Sequence, residues 1–403
     1  MKKALMFVFG CFVSLAAMCQ TATVTVTNTE KVQRQEVVEV DLQQICKVLN
    51  CKSDARFVVK NALNQEVSYQ ISYDGKMLID ASVRPCGEAV FTVTLGNPAR
   101  MKTFVHGAHH PERVDDIAWE NDRTAYRLYG PALQASGERA FGNDVWTKNT
   151  PDLEVDKRYK VEHAAAGKIK ELKAQGKEKE AFELEVATTY HFDHGYGLDC
   201  YKVGPSLGCG TPAILLDGEI VFPYCYKEYK ILDNGPLRFT VDLTYNPTTI
   251  GKTKDVVEHR ILSLDKGSNF NKMIVWYEGM KKPFEVCAGI VIHAEDVESA
   301  VAGNGFVQYA DPTDNPTKQN FQIYTAAVFP DNAVKTKVLK AAKVENGIAG
   351  HVIGYKTMQP KERFTYYFGS AWSKFDVRNQ NEWQCRINTF MDEINMPLQV
   401  KVD

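Results

Sequence analysis

Val67-Ser68-Tyr69-Gln70-Ile71-Ser72-Tyr73 runs into Asp74-Gly75 and then Met77-Leu78-Ile79. The first run places polar and apolar side chains on alternate positions, the period of a strand with one face in a core. Asp-Gly supplies the positive backbone angles of a tight turn, so the stretch predicts a β-hairpin. Thr23 to Thr27 and Phe57 to Val59 extend the same pattern, and Asp41 to Leu49 predicts a short helix among them. Residues 20–100 are therefore expected to form a small β-sandwich module, in which Tyr69 and Tyr73 are sheet residues.

Beyond residue 210 the pattern returns. Ala213 to Leu216, Leu237 to Tyr245, Val256 to Leu262, Met273 to Glu278 and Glu285 to His293 are strand-like and separated by pieces such as Asp217-Gly218 and Asp265-Lys266-Gly267-Ser268. Ala326 to Phe329, His351 to Tyr355 and Arg363 to Gly369 continue it, and Asn379 to Ile394 reads as a closing helix. Successive strands joined by short turns predict antiparallel sheets, so residues 101–403 are expected to be one large antiparallel β-sandwich. Between Asp156 and Glu185 the chain turns to Lys, Glu and Ala with sparse apolar positions at Ile169, Leu172 and Phe182. That is a charged helical insertion at 156–185, expected to be solvated and without chemistry.

Met1-Lys2-Lys3 followed by the apolar run Ala4 to Met18 has the form of a signal peptide, cleaved before Gln20. The run falls short of the roughly 20 residues of a spanning helix. An exported, periplasmic protein is expected; Met18 before Cys19 makes an outer-membrane lipoprotein the weaker reading. The net charge of −2, with both signs interspersed, leaves no footprint for nucleic acid or an anionic membrane. Eight cysteines follow residue 19, and Cys46/Cys51 and Cys200/Cys209 are close enough to pair, with buried free thiols the alternative.

Two segments concentrate chemistry. The first runs from His106 through His110, Glu112, Arg113, Asp115, Asp116, Trp119, Glu120, Asp122 and Arg123 to Tyr126, Arg127 and Tyr129. The second carries His191, Asp193, His194, Tyr196, Asp199, Tyr201 and Lys202 among glycines. No amphipathic period explains either, although ion pairs between the arginines and carboxylates of the first would be a purely structural account. His191 and His194 with Asp193 or Asp199 could coordinate a divalent metal, but the spacing matches no established motif and no cofactor is fixed.

Asp115-Asp116-Ile117-Ala118-Trp119-Glu120-Asn121-Asp122-Arg123 with Tyr129-Gly130-Pro131-Ala132-Leu133, followed by Asp193-His194-Gly195, Gly197-Leu198-Asp199-Cys200-Tyr201 and Val203-Gly204, resembles an exported bacterial family, domain of unknown function 4861. The resemblance covers most of the mature chain. It implies a setting in polysaccharide utilisation, often of pectin or other uronic-acid glycans, and it implies no particular reaction. Val257 to Met273, a strand, turn and strand, resembles the galactose-mutarotase-like supersandwich found in sugar epimerases and several polysaccharide lyases. Within it, His259 is expected on a core-facing strand face with Val257 and Ile261, opposite Glu258 and Arg260.

The leading expectation is β-elimination on a uronic-acid-containing glycan. This needs a base, a cation to neutralise the carboxylate and a proton donor. His194 or His110 would be the base, Arg123 and Arg127 the neutralisers and Tyr201 the acid, with Glu120, Asp122 and Asp199 orienting them. Trp119, Tyr126, His191, Tyr196, Lys202 and Trp372 would contact the sugar. Hydrolysis by a pair among Glu120, Asp122, Asp193 and Asp199, or an epimerase, are the enzymatic alternatives. A non-catalytic glycan-binding protein is the other class, stacking sugar on Trp119, Tyr126, Tyr196, Trp372 or Trp383; Trp372 is expected to be the best exposed.

Overall fold

The computed structural model describes residues 20–313 and 320–403, so the expected signal peptide lies outside the described residues. The fold is mainly β, and its named strands pair antiparallel throughout.

The hairpin of the 67–79 stretch forms with Tyr69–Ile71 paired to Lys76–Val83, and Gly75 holds a φ of 79° that the turn requires. With Arg34–Asp41 these strands make a three-stranded sheet. It shares a core with a four-stranded sheet of Phe57–Asn61, Glu88–Leu95, Thr21–Thr27 and Gln399–Val402. Helix α1 (Leu42–Leu49) closes one end; Asp41 caps it by accepting from the Gln43 amide, and Leu42, Ile45 and Leu49 enter the core. The edge strand Gln399–Val402 comes from the far end of the chain and pairs with Thr21–Thr27.

A nine-stranded sheet dominates the rest. It runs in the order Tyr226–Asn234, Arg238–Tyr245, Thr253–Asp265, Phe270–Glu278, Phe364–Trp372, Ile323–Val328, Phe306–Asp311 and Val301–Ala302, with Thr248–Ile250 added to the long Thr253–Asp265 strand. Two smaller sheets share its inner face. One has five strands, with Phe284–His293 at its centre between Cys209–Leu216 and Ile348–Met358. The other, here called the motif sheet, has His106–His110, Asp116–Glu120, Ala125–Leu128 and Asp144–Trp146 in spatial order. One continuous core joins all three. Gly107 illustrates how closely they approach: a Cβ there would lie 2.4 Å from the Phe239 ring.

Helix α2 (Pro131–Ala135) follows the motif sheet's third strand, and α3 (Val155–Ala174) and α4 (Glu178–Thr188) are the expected charged insertion. Helix α5 (Gln380–Asn395) packs Trp383 and Ile387 on the outer face of the nine-stranded sheet. Gln70 ties the module to the sandwich by accepting from the amides of Leu237 and Arg238 and donating to the Arg238 carbonyl. No helix among the described residues is long and apolar enough to cross a membrane.

Several local expectations are corrected. The 106–129 segment lacks an amphipathic period because its strands Asp116–Glu120 and Ala125–Leu128 are buried on both faces, so the polar-apolar alternation that marks a half-exposed strand is lost. His259 lies on the outer face, stacked on Trp276 at 5.0 Å, while Arg260 is wholly buried with Glu258 against Tyr245. A paired guanidinium and carboxylate can enter the core where an aromatic shell surrounds them. Trp372 is only 2% exposed and donates its Nε1 to the Asn320 carbonyl, so it offers no surface for sugar. The eight cysteines, including Cys46, Cys51, Cys200 and Cys209, are all free thiols.

Trp119 sits where the motif sheet meets the large sheet, stacked near Phe239 and donating its Nε1 to Asn271 Oδ1 at 2.7 Å. Trp119→Phe keeps the ring packing and strands that buried acceptor. The expected loss is about 1–3 kcal/mol in urea unfolding; a variant as stable as the parent would show that the contact contributes nothing.

Candidate functional site

The register of the motif sheet decides which side chains share a face. His106, Ala108 and His110 lie opposite Glu120, Ala118 and Asp116; Ala118 and Glu120 lie opposite Arg127 and Ala125; those in turn lie opposite Asp144 and Trp146. This face is therefore charged, with three alanines making room. The other face, with Ile117, Trp119, Tyr126 and Val145, is in the sandwich core.

Arg127 is the centre of the charged face. It is buried and reaches Asp144 Oδ2 at 2.5 Å, Asp199 Oδ2 at 2.8 Å and Asp116 Oδ2 at 4.0 Å. Its guanidinium also lies over the rings of Tyr129, Trp146 and Tyr190. Asp199 belongs to the second segment. It arrives beside Asp144 because Leu198 and Asp199 run against the end of the motif sheet: the Thr147 amide donates to the Leu198 carbonyl, and the Asp199 amide to the Tyr190 carbonyl. Gly197 makes this approach possible, since a Cβ there would fall 2.1 Å from the Thr147 oxygen.

Helix α3 lies over the charged face. Val155 and Tyr159 pack with Ala118, Ala125, Trp146 and Tyr190. Arg158 is buried and donates to the carbonyls of Thr147 and Tyr196, and Glu162 accepts from the Tyr190 amide and the Thr189 hydroxyl. Asp156 lies 3.1 Å from His106 Nε2 and 3.5 Å from His110 Nε2. The insertion thus locks the two segments together, against the expectation of a solvated excursion. The signal was present in Val155 and Tyr159, which stand one turn apart on the same helical face once Val155 is counted as the helix start.

His110, Tyr159, Asp116, Arg113 and Arg127 come together here. His110 stacks on Tyr159 with centroids 4.1 Å apart, and the Tyr159 hydroxyl donates to Asp116 Oδ2 at 3.3 Å. Arg113 lies 4.0 Å from Asp116 and donates to the Tyr190 hydroxyl. Buried Asp116 Oδ1 and Arg127 Nε and Nη1 have no hydrogen-bond partner in the structure, while Arg113, Glu112 and Asp156 form a rim about one-third exposed. Burial holds the Asp116 carboxyl at about 6 despite the nearby arginines. It likewise holds Asp144 at about 7, because the single charge of Arg127 is shared with Asp199. Burial also raises the Tyr159 hydroxyl well above its ordinary value, so it stays protonated near neutrality.

The other expected site residues lie elsewhere. Tyr201 is buried in the core with its ring beside His293, which pairs with Asp311. Arg123 pairs with Asp376, and Asp122 caps the Gly267 amide. Glu120 is buried against Lys148 and the Val155 amide, and Trp119 and Tyr126 are core residues. His191 is exposed over Asp199, with Nδ1 3.1 Å from the Asp199 carbonyl. His194 is exposed and meets the Thr189 carbonyl; Tyr196 is half-buried under Lys157 and Arg158. Lys202 is exposed. Of the residues suggested for a metal, Asp193 is engaged by the Gly195 and Gly197 amides and Lys374, and among the described residues no three His, Cys, Asp or Glu side chains are placed to hold an ion.

Residues 26–400 match a protein family described as domain of unknown function (DUF4861). A protein of Formosa agariphila called uncharacterized protein P7 is 25% identical over 308 residues, which cover 72% of this chain and 68% of that protein. Two solved structures from Enterococcus faecalis align with 95% of the chain. One is a protein in glycosyl hydrolase family 38, with a TM-score of 0.49 and 8% identity over 47% of its length. The other is an alpha-mannosidase, with a TM-score of 0.43 and 9% identity over 46% of its length. The chain spans about half the length of each.

Asp116 gives a sign that can be checked. Its carboxyl titrates at about 6 in the folded chain against an ordinary 3.8, so between those values the folded state keeps a proton that the unfolded state has released. Stability from this group is complete below 3.8 and is lost as pH rises through about 6. Asp116→Asn does not titrate and should gain on the parent by about 1–3 kcal/mol across that window. Urea unfolding below and above it measures this; a constant difference would mean that Asp116 is not perturbed.

Proposed function

The chain belongs to the DUF4861 family, and from that premise we propose that it is an exported enzyme acting on a uronic-acid-containing glycan by β-elimination, with its reaction centre on the motif sheet beneath α3. The observation that carries this reading is the grouping of His110, Tyr159, Arg113 and Arg127 around Asp116, with buried donors and an acceptor left unpaired. It contains the three kinds of group that elimination needs. His110 takes the proton beside the carboxylate, Arg113 and Arg127 neutralise the charge developing on that carboxylate, and Tyr159 protonates the leaving oxygen. Tyr159 stands where Tyr201 was expected and Arg113 where Arg123 was. The setting in polysaccharide utilisation that the family resemblance implies supports a glycan as substrate.

A second reading rests on Asp116 and Asp144. Burial raises both carboxyls, Asp116 to about 6 and Asp144 to about 7, so Asp144 is partly protonated near neutrality, as the general acid of a glycoside hydrolase must be, while Asp116 is mostly ionised there.

The deciding experiment incubates the purified protein with a panel of uronic-acid polysaccharides and oligosaccharides, following product mass and the ultraviolet absorbance of the conjugated unsaturated uronate. Rising absorbance with chain shortening is expected, and His110→Ala and Tyr159→Phe should each lower it by about 10²- to 10⁴-fold. Shortened product without absorbance would replace elimination by hydrolysis. Binding without turnover would make the protein a glycan-binding one.

A further inference from the structure

A cleft of about 520 Å³ opens between the module strand Arg34–Asp41, the sandwich turn at 265–270 and α5. Arg123 and Arg386 both line it, side by side and each about one-third exposed. They share one carboxylate: Asp376 Oδ2 lies 2.9 Å from Arg123 and 4.0 Å from Arg386. Arg386 Nη1 donates to Asn269 Oδ1 at 2.7 Å, and Arg123 Nε is buried without a hydrogen-bond partner. Two guanidiniums so placed repel, and burial together with Arg123 pulls the Arg386 value below normal.

The remaining carboxylates of the cleft do not relieve the pair. Glu36 is bound to Arg34, while Asp265 and Glu39 are bound to Arg238. Glu393 lies 3.9 Å from Arg34, and burial and Glu36 raise its carboxyl to about 7, so it is only partly ionised in neutral solution. The cleft is thus short of negative charge at its arginines. Beside them, Phe390 and Tyr367 are half-buried, with Phe270 stacked under Phe390 at 4.3 Å. An apolar wall with a few convergent polar groups between two modules is the usual composition of a small-molecule site.

We propose that this cleft binds an acidic saccharide, with Arg123 and Arg386 taking its carboxylate and the Phe390–Tyr367 wall taking one face of the ring. Paired guanidiniums suit a planar carboxylate because they can donate parallel hydrogen bonds to both oxygens. The anion site follows from the arginines alone. The choice of a saccharide rather than another small carboxylate rests on the uronic-acid reading above. The site is separate from the Arg127 centre, which lies on the motif sheet under α3.

Titration calorimetry of the full chain with glucuronate, glucose and acetate tests this. Glucuronate should bind, with acetate and glucose each at least about tenfold weaker, and Arg386→Gln should weaken glucuronate by about tenfold or more. Arg386 is on a partly exposed helix face; should Arg386→Gln melt early, Arg386→Lys keeps the charge, loses the fork and is expected to bind severalfold more weakly. Unchanged affinity in these variants, acetate binding as tightly as glucuronate, or no glucuronate binding would each overturn the proposal. Turnover at the Arg127 centre is read separately through His110→Ala, so either assignment can fail alone.

Discussion

A single buried guanidinium organises the candidate site of this protein. An isolated charge in a protein interior costs several kcal/mol, and the cost is offset only where carboxylates and polar atoms surround it in good geometry. Arg127 obtains those partners from three places in the chain: Asp116 and Asp144 on its own sheet, and Asp199 from the glycine-rich segment. Once Arg127 is buried, Asp199 must come to it, so the second segment has to cross the end of the motif sheet. The three alanines, the indole of Trp146 and the seal of α3 all serve the same requirement.

The motif sheet is consequently two-sided. Its inner face completes the sandwich core against the large sheet, and its outer face carries ionisable groups under a helical cover. Dry surroundings explain why carboxyls beside arginines still titrate near neutrality: desolvation of the charged form outweighs attraction to a cation that is shared among several anions. Such a balance is what acid–base chemistry at neutral pH uses, and buried structural ion-pair networks produce it as well.

Much of this was legible in the chain. Alternating strands, the Asp74-Gly75 turn, the short helix after Asp41 and the closing helix announced themselves through local period and turn chemistry, and both candidate segments stood out by composition. What stayed hidden depended on tertiary cover. The motif sheet lost its alternation because both faces are buried. Helix α3 looked solvated because the residue it buries beside Tyr159 is an arginine, whose charge masks the helical stripe. His259 and Arg260 exchanged expected faces because an aromatic shell admits an ion pair to the core. Tyr201 and Trp372 carry polar atoms suited to a site, yet their rings were needed for packing.

The strand Gln399–Val402 has a consequence of its own. It pairs with Thr21–Thr27, nearly four hundred residues earlier, so a module whose other strands are made together waits for a much later segment before it is complete. Until the far end arrives, Thr21–Thr27 presents an open row of amides and carbonyls, the kind of edge that recruits strands from other molecules. A shortened chain would therefore carry its defect at the opposite end from the truncation.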